Sequence, residues 1–138
     1  MVKIAGWLMV FFGVAHTTAA LTFDKAARHA GTWFSGGLWH EATHNFTPMS
    51  QAGAAFWFSI EIFGPPMLVI GLIILWMDRR GITPPTFIAW ILGVLALLDA
   101  IILLPTPWPL MVLAVVLLLL AARRDSLRER TIDAPVHA

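Results

Sequence analysis

The stretch "AAFWFSIEIFGPPMLVIGLIILWMDRR", residues 54–80, decides how the rest of the chain is read. From Ala54 to Met77 it carries one ionisable side chain, Glu61, and then closes on Asp78, Arg79 and Arg80. An apolar run of this length ended by arginines reads as a helix crossing a membrane. Within it, Gly64-Pro65-Pro66 breaks the pattern. Proline has no N–H and crowds the carbonyl four residues earlier, so Pro65 and Pro66 release the carbonyls of Glu61 and Ile62. In hydrocarbon such a break is tolerated where it faces protein or a watery cavity. Broken helices of this kind mark binding sites in transporters.

Outward from that stretch, the composition agrees with a membrane protein. The 138 residues are 59% hydrophobic and only 12% charged, with a mean hydropathy of +0.79, which excludes an ordinary soluble domain. Cysteine is absent, so disulfides, thiolate chemistry and Cys-based metal sites are excluded. Four apolar segments follow one another, at about 3–23, 52–77, 86–104 and 108–123. The expected fold is therefore all-α: a four-helix integral membrane bundle running up-down-up-down. It forms one domain over residues 1–123, with a charged tail at 124–138. Segment 24–51, polar and aromatic, is expected to be an interfacial helix or lid between the first two spans. "PTPWP", residues 105–109, joins the last two spans as a hairpin.

Charge sets the direction. Lys3, Arg79, Arg80, Arg123, Arg124, Arg128 and Arg130 fall on one side of this arrangement, and only Lys25 and Arg28 on the other. By the positive-inside rule both termini are cytoplasmic, in the plasma (inner) membrane, and 24–51 lies outside. Trp7, Trp76 and Trp90 mark the inner interface. Trp33, Trp39, Trp57 and Trp108 mark the outer one. The first run, with Lys3 ahead and "TTAA" behind, also resembles a signal peptide with a poor cleavage site, although its length suits a span.

Two more ionisable groups interrupt the spans, His16 in the first and Asp99 in the third. Counted from the outer ends, His16, Glu61 and Asp99 lie at roughly 10, 13 and 8 Å depth. Side chains left facing lipid there cost about 2.5–3.5 kcal/mol each, so they are expected to face inward and meet. Helical phase puts Gly6, Gly13, Thr17 and Ala20 on one stripe with His16 at its edge, a face for close helix approach. Around Glu61 the same face carries Ala54, Gly64 and Pro65.

These groups support three functions. The first is a pocket in the outer half of the bundle that binds or transforms a small lipophilic molecule. There Glu61, His16 and Asp99 are the candidate catalytic residues for isomerase, cyclase or hydratase chemistry, with Glu61 as the acid and His16 its partner. Trp57, Trp39, His40, His44 and Asn45 would line the pocket or its lid. The second is an accessory subunit whose buried polar groups only specify packing. The third is a small proton-coupled carrier, which brings a homo-oligomer with it. No cofactor is implied, and no feature points to nucleic acid; the expected partner is the lipid bilayer.

"HEATH", residues 40–44, satisfies H-E-x-x-H, in which His40 and His44 would bind zinc and Glu41 would activate water. Its setting argues against a metalloprotease. Gly36-Gly37 precede it, Pro48 follows, and no third ligand stands at a diagnostic spacing. Thr47-Pro48 reads as the cap and first turn of the second span.

The runs "GWLMVFFGVAHT" (6–17), "AAFWF…G" (54–64), "VIGLIILWMDRRGITPP…IAWILG" (69–93) and "PTPWPL" (105–110) together resemble an uncharacterised family of small bacterial four-span membrane proteins. The resemblance covers the spans and is weak over 24–51. It implies a membrane bundle with no established activity, and His16 falls where the family pattern has a histidine. Glu61, Pro65-Pro66, Asp99 and the HEATH stretch depart from that pattern.

The topology is open to a direct check in this cysteine-free chain. Ser35→Cys should react with a membrane-impermeant thiol reagent applied to intact cells, and Ser126→Cys only after permeabilisation. The reverse pattern, or equal labelling, would overturn the four-span orientation.

Overall fold

The computed structural model describes residues 1–23, 25–44, 48–102 and 108–132, and for His44, Glu61, Glu129 and Ile132 the backbone alone. Among the described residues the chain is all-helical: α1 (Val2–Thr22), a 3-10 turn (Ala26–His29), α2 (Ala30–Phe34), α3 (Gly37–His44), α4 (Gln51–Phe56), a π-helical turn (Trp57–Glu61), α5 (Gly64–Arg79), α6 (Thr86–Ile102) and α7 (Trp108–Ile132). These elements form two compact units, one of Met1–Val10 with Ile70–Ala138, the other of Phe11–Val69.

In the first unit, the start of α1 meets the end of α5 at backbone distance. A Cβ added at Gly71 would lie 2.8 Å from the Val10 nitrogen and 2.9 Å from the Gly6 carbonyl oxygen. One added at Gly6 would lie 2.8 Å from Leu75 Cγ. Only glycine fits at either place. Helix α5 then stops in a Schellman motif, with Ile82 N–H donating to the Met77 carbonyl at 3.0 Å and Gly81 N–H to that of Asp78 at 3.1 Å. Gly81 supplies the required left-handed backbone, at φ 68°. Pro84 and Pro85 prevent the helix from resuming until Thr86. Helix α6 packs along α7, and the pair buries Ala89, Ala96, Met111, Ala114 and Leu118. The Thr83 hydroxyl donates to the Asp125 carboxylate, tying the α5–α6 turn to α7.

The second unit repeats the close approach with different residues. A Cβ at Gly13 would lie 2.6 Å from the Gly64 carbonyl oxygen and 2.8 Å from the Leu68 nitrogen, and one at Gly64 would collide with Thr17 Oγ1. The expected stripe of Gly6, Gly13 and Thr17 is thus the face of α1 that α5 touches. In this unit α2 also packs on the start of α4. The Trp33 indole N–H donates to the Ala52 carbonyl at 2.9 Å, and its ring meets Phe56 edge-on at 5.6 Å.

Helix α4 begins at Gln51, with Ser50 as its cap: the Ser50 hydroxyl accepts from Gly53 N–H. This corrects the expected start at Thr47-Pro48, because Pro48 and Met49 lie ahead of the cap in non-helical backbone. The last helix runs on past residue 123 to Ile132, its polar end carrying Arg123, Arg124, Arg128 and Arg130.

Two helical stretches, Val2–Thr22 and Gln51–Arg79, are long and apolar enough to cross a membrane, and Thr86–Ile102 is apolar but shorter. Of the most apolar window of each long stretch only 33% and 35% is buried, whereas a soluble core helix is mostly buried. Large side chains such as Phe11, Phe87, Trp90, Ile91, Ile101 and Ile102 face outward.

Gly13→Ala should destabilise the protein by about 1–3 kcal/mol, the usual cost of overpacking, because the added methyl meets backbone. Gly31→Ala, with nothing within 4 Å of an added Cβ, is the control. Thermal unfolding in detergent measures both. Equal melting of the Gly13→Ala variant and the wild type would contradict the packing described.

Candidate functional site

The break in the second apolar stretch has a defined form. After α4 the backbone widens into a π turn, in which Ile62 N–H donates to the Trp57 carbonyl five residues back, at 3.0 Å. Ile62 and Phe63 form a bend, and α5 starts at Gly64, with Met67 N–H donating to the Phe63 carbonyl at 3.0 Å. The positions that would donate to the Glu61 and Ile62 carbonyls in an uninterrupted helix are Pro65 and Pro66, which have no N–H. π turns of this kind recur at functional sites.

His16 lies against this bend. Its ring stacks parallel to Phe12, one turn earlier on α1, with centroids 6.5 Å apart. It also meets Phe63 edge-on at 5.3 Å, and Phe63 meets Phe12 at the same distance. The contact follows from Gly13 and Gly64, since two backbones that touch there bring the next turn of α1 beside Phe63. The Nε2 atom of His16 is buried and has no hydrogen-bond partner. A buried polar atom left unpaired costs about 1–3 kcal/mol, and most such atoms in native structures are paired. The site thus offers an imidazole nitrogen against an aromatic wall, on the turn of α1 that meets the bend.

The other expected residues fall in different places. Glu61 ends the π turn, two residues before Phe63, and its side chain lies outside the described residues. Asp99 is on α6, half-buried, in the other compact unit from His16 and Glu61. Trp57 opens the π turn and is partly exposed, while Trp39 on α3 is 75% exposed. His40 and His44 fall four residues apart on α3, with the His44 side chain outside the described residues, as is Asn45.

Glu41 has a structural partner. Its carboxylate accepts from the Ser50 backbone N–H at 2.7 Å and from the Ser50 hydroxyl. The glutamate of HEATH therefore clasps α3 to the cap of α4. No group of three metal-ligating side chains occurs among the described residues. The two bonds from Ser50, the hydroxyl's first, hold the Glu41 carboxyl below its ordinary value of 4.5.

Phe12, Phe63 and Ser50 carry no role in the sequence reading of the site. Phe12 precedes His16 by the four residues that put side chains on one helix face. Ser50, just ahead of an apolar helical run, is a recognisable cap.

The elements around His16 thus define a small, mostly apolar helical protein with a polar atom enclosed at a helix break. The chain belongs to a family of unknown function, DUF6463, whose model matches residues 1–126. Comparison with curated proteins and with solved structures returned no significant match.

The clasp has a pH dependence of known sign. A carboxyl whose folded value is lowered contributes stability above its unfolded value and loses that contribution as the pH falls through the folded one. A spin label on Ser35→Cys, at the α2–α3 corner, should keep constant mobility down to about pH 5 and loosen below the ordinary carboxyl range. In Glu41→Gln it should be loose at every pH. Constant mobility to pH ~3 in the wild type would show that the clasp does not hold α3.

Proposed function

We propose that the protein is a multi-pass membrane protein of four spans, both ends cytoplasmic, which binds a small lipophilic molecule at His16. The carrying observation is the unpaired, buried Nε2 atom between Phe12 and Phe63. The carbonyls of Glu61 and Ile62 are acceptors only, and a neutral imidazole nitrogen can also accept. The ligand class that complements them is an apolar molecule bearing a hydroxyl or amine, its ring or chain against the two phenylalanines. Helix α3 and its clasp form part of the same compact unit and would serve as the lid. Glu61, beside the bend, would supply the proton for an acid–base step on the bound molecule.

The second reading, in which His16 only holds the bundle together, is disfavoured by that same nitrogen. A histidine retained for packing would be hydrogen-bonded, since an unpaired one weakens the fold it serves. The two readings differ in sign. For a binding residue, His16→Phe leaves thermal stability in detergent unchanged or raises it by about 1–3 kcal/mol, because an orphaned polar atom is removed. Mass spectrometry of extracts should then detect a small lipophilic molecule co-purifying with the wild type and absent from this variant. Identical extracts from both, or a strongly destabilised variant, would refute binding at His16.

A further inference from the structure

Away from His16, the first compact unit holds a cleft of about 300 Å³, at the small end of the range for ligand pockets. Its walls come from three stretches of that unit: the start of α1, the end of α5 with the turn after it, and α7. Asp78 belongs to the last turn of α5. Ala121, Arg124 and Asp125 line the cleft from one face of α7, being three and four residues apart. Thr83, in the turn, also lines it, and its hydroxyl donates to the Asp125 carboxylate, which fixes where that charge lies.

Charges of both signs line this cleft without meeting. Among the described residues, neither Asp78 nor Asp125 forms an ion pair, with Arg124 or with any other cation, and Arg124 has no hydrogen-bond partner. The lining side chains carry two negative charges against one positive. An anion alone would face both carboxylates, and a cation alone would leave Arg124 unused. A molecule bearing an ammonium and an oxyanion answers all three groups. The ammonium must carry N–H groups, because carboxylates are acceptors only. A quaternary ammonium has none, and the aromatic faces that hold such groups do not line the cleft among the described residues. The planar fork of Arg124 suits two oxygens of a phosphate.

We infer that this cleft binds an aminoethyl phosphate, with the ammonium on Asp78 and Asp125 and the phosphate on Arg124. Val2 and Ile82, in the same lining, supply apolar surface for the carbon chain. That chemistry is shared by a phosphatidylethanolamine headgroup and by free phosphoethanolamine. The lipid is the source on the four-span reading, which puts this end of α5, with Trp76, at headgroup level. The cleft itself rests neither on that reading nor on ligand binding at His16.

Native mass spectrometry of the full chain in detergent tests it, by titration with dioleoyl phosphatidylethanolamine, its choline counterpart, or free phosphoethanolamine. The wild type should bind the ethanolamine lipid roughly ten-fold more tightly than the choline lipid, the contribution of a charge-assisted hydrogen bond that only the first makes. Asp78→Asn should abolish that preference. Arg124→Gln should weaken both lipids, since both carry the phosphate, and Arg123→Gln, outside the cleft, should weaken neither. Free phosphoethanolamine binding that Asp78→Asn abolishes, without a preference between the lipids, would keep the site and overturn the lipid source. A wild type that binds neither ethanolamine compound in preference to the choline lipid, or an Asp78→Asn variant that matches the wild type, would overturn the site. Fractionation of carbonate-washed membranes separates the two levels. A chain absent from the membrane fraction removes the four-span reading and the lipid source, and leaves the site to the free phosphoethanolamine titration.

Discussion

The contact between α1 and α5 is what the rest of the structure depends on. It is made by backbone rather than by side chains, at Gly6 with Gly71 and again at Gly13 with Gly64. The two glycines are seven residues apart on each helix, which is two turns, so both members of each set stay on one face. The stretches that hold α1 and α5 are long and apolar enough to cross a membrane, where small residues that let backbones approach supply dispersion contact in place of hydrophobic burial. Each glycine costs helix propensity, of the order of 1 kcal/mol against alanine, which only the close approach offsets.

Everything at the candidate site is a consequence of that approach. Gly64 is at once the residue that touches Gly13 and the first residue of α5 after the bend. The helix break is therefore pinned to α1 at the turn that carries His16. Phe63, in the bend itself, meets the rings of both His16 and Phe12 edge-on. The chain thus spends stability twice, in a broken helix and in an unpaired polar atom. Proteins retain such costs at functional sites more readily than in plain packing.

Much of this was legible from residues alone. The phase of Gly6, Gly13 and Thr17 named the face of α1 that α5 touches. Gly71 escaped because the matching face of α5 was traced only near Glu61, whereas the contact runs on past it. Glu41 was read through a metal motif because H-E-x-x-H says nothing of the serine nine residues on, a tertiary partner that no local pattern reveals. A Thr-Pro pair imitates a helix start, so the expected cap is Thr47-Pro48, although Ser50, just ahead of the apolar run, carries the same local signal. The depth count that aligned Asp99 with His16 and Glu61 carries no information on which compact unit a residue joins.

The claim beneath all of this is that Gly64 lies against Thr17, with their β-carbons about 3 Å apart if Gly64 had one. Because the chain has no cysteine, the double substitution Thr17→Cys and Gly64→Cys reports on that contact without background. Mild oxidation in membranes should close a disulfide between positions 17 and 64, while Val14→Cys with Gly64→Cys, on the exposed face of α1, should stay reduced. Failure of the 17–64 pair to cross-link, or equal cross-linking of both pairs, would contradict the account.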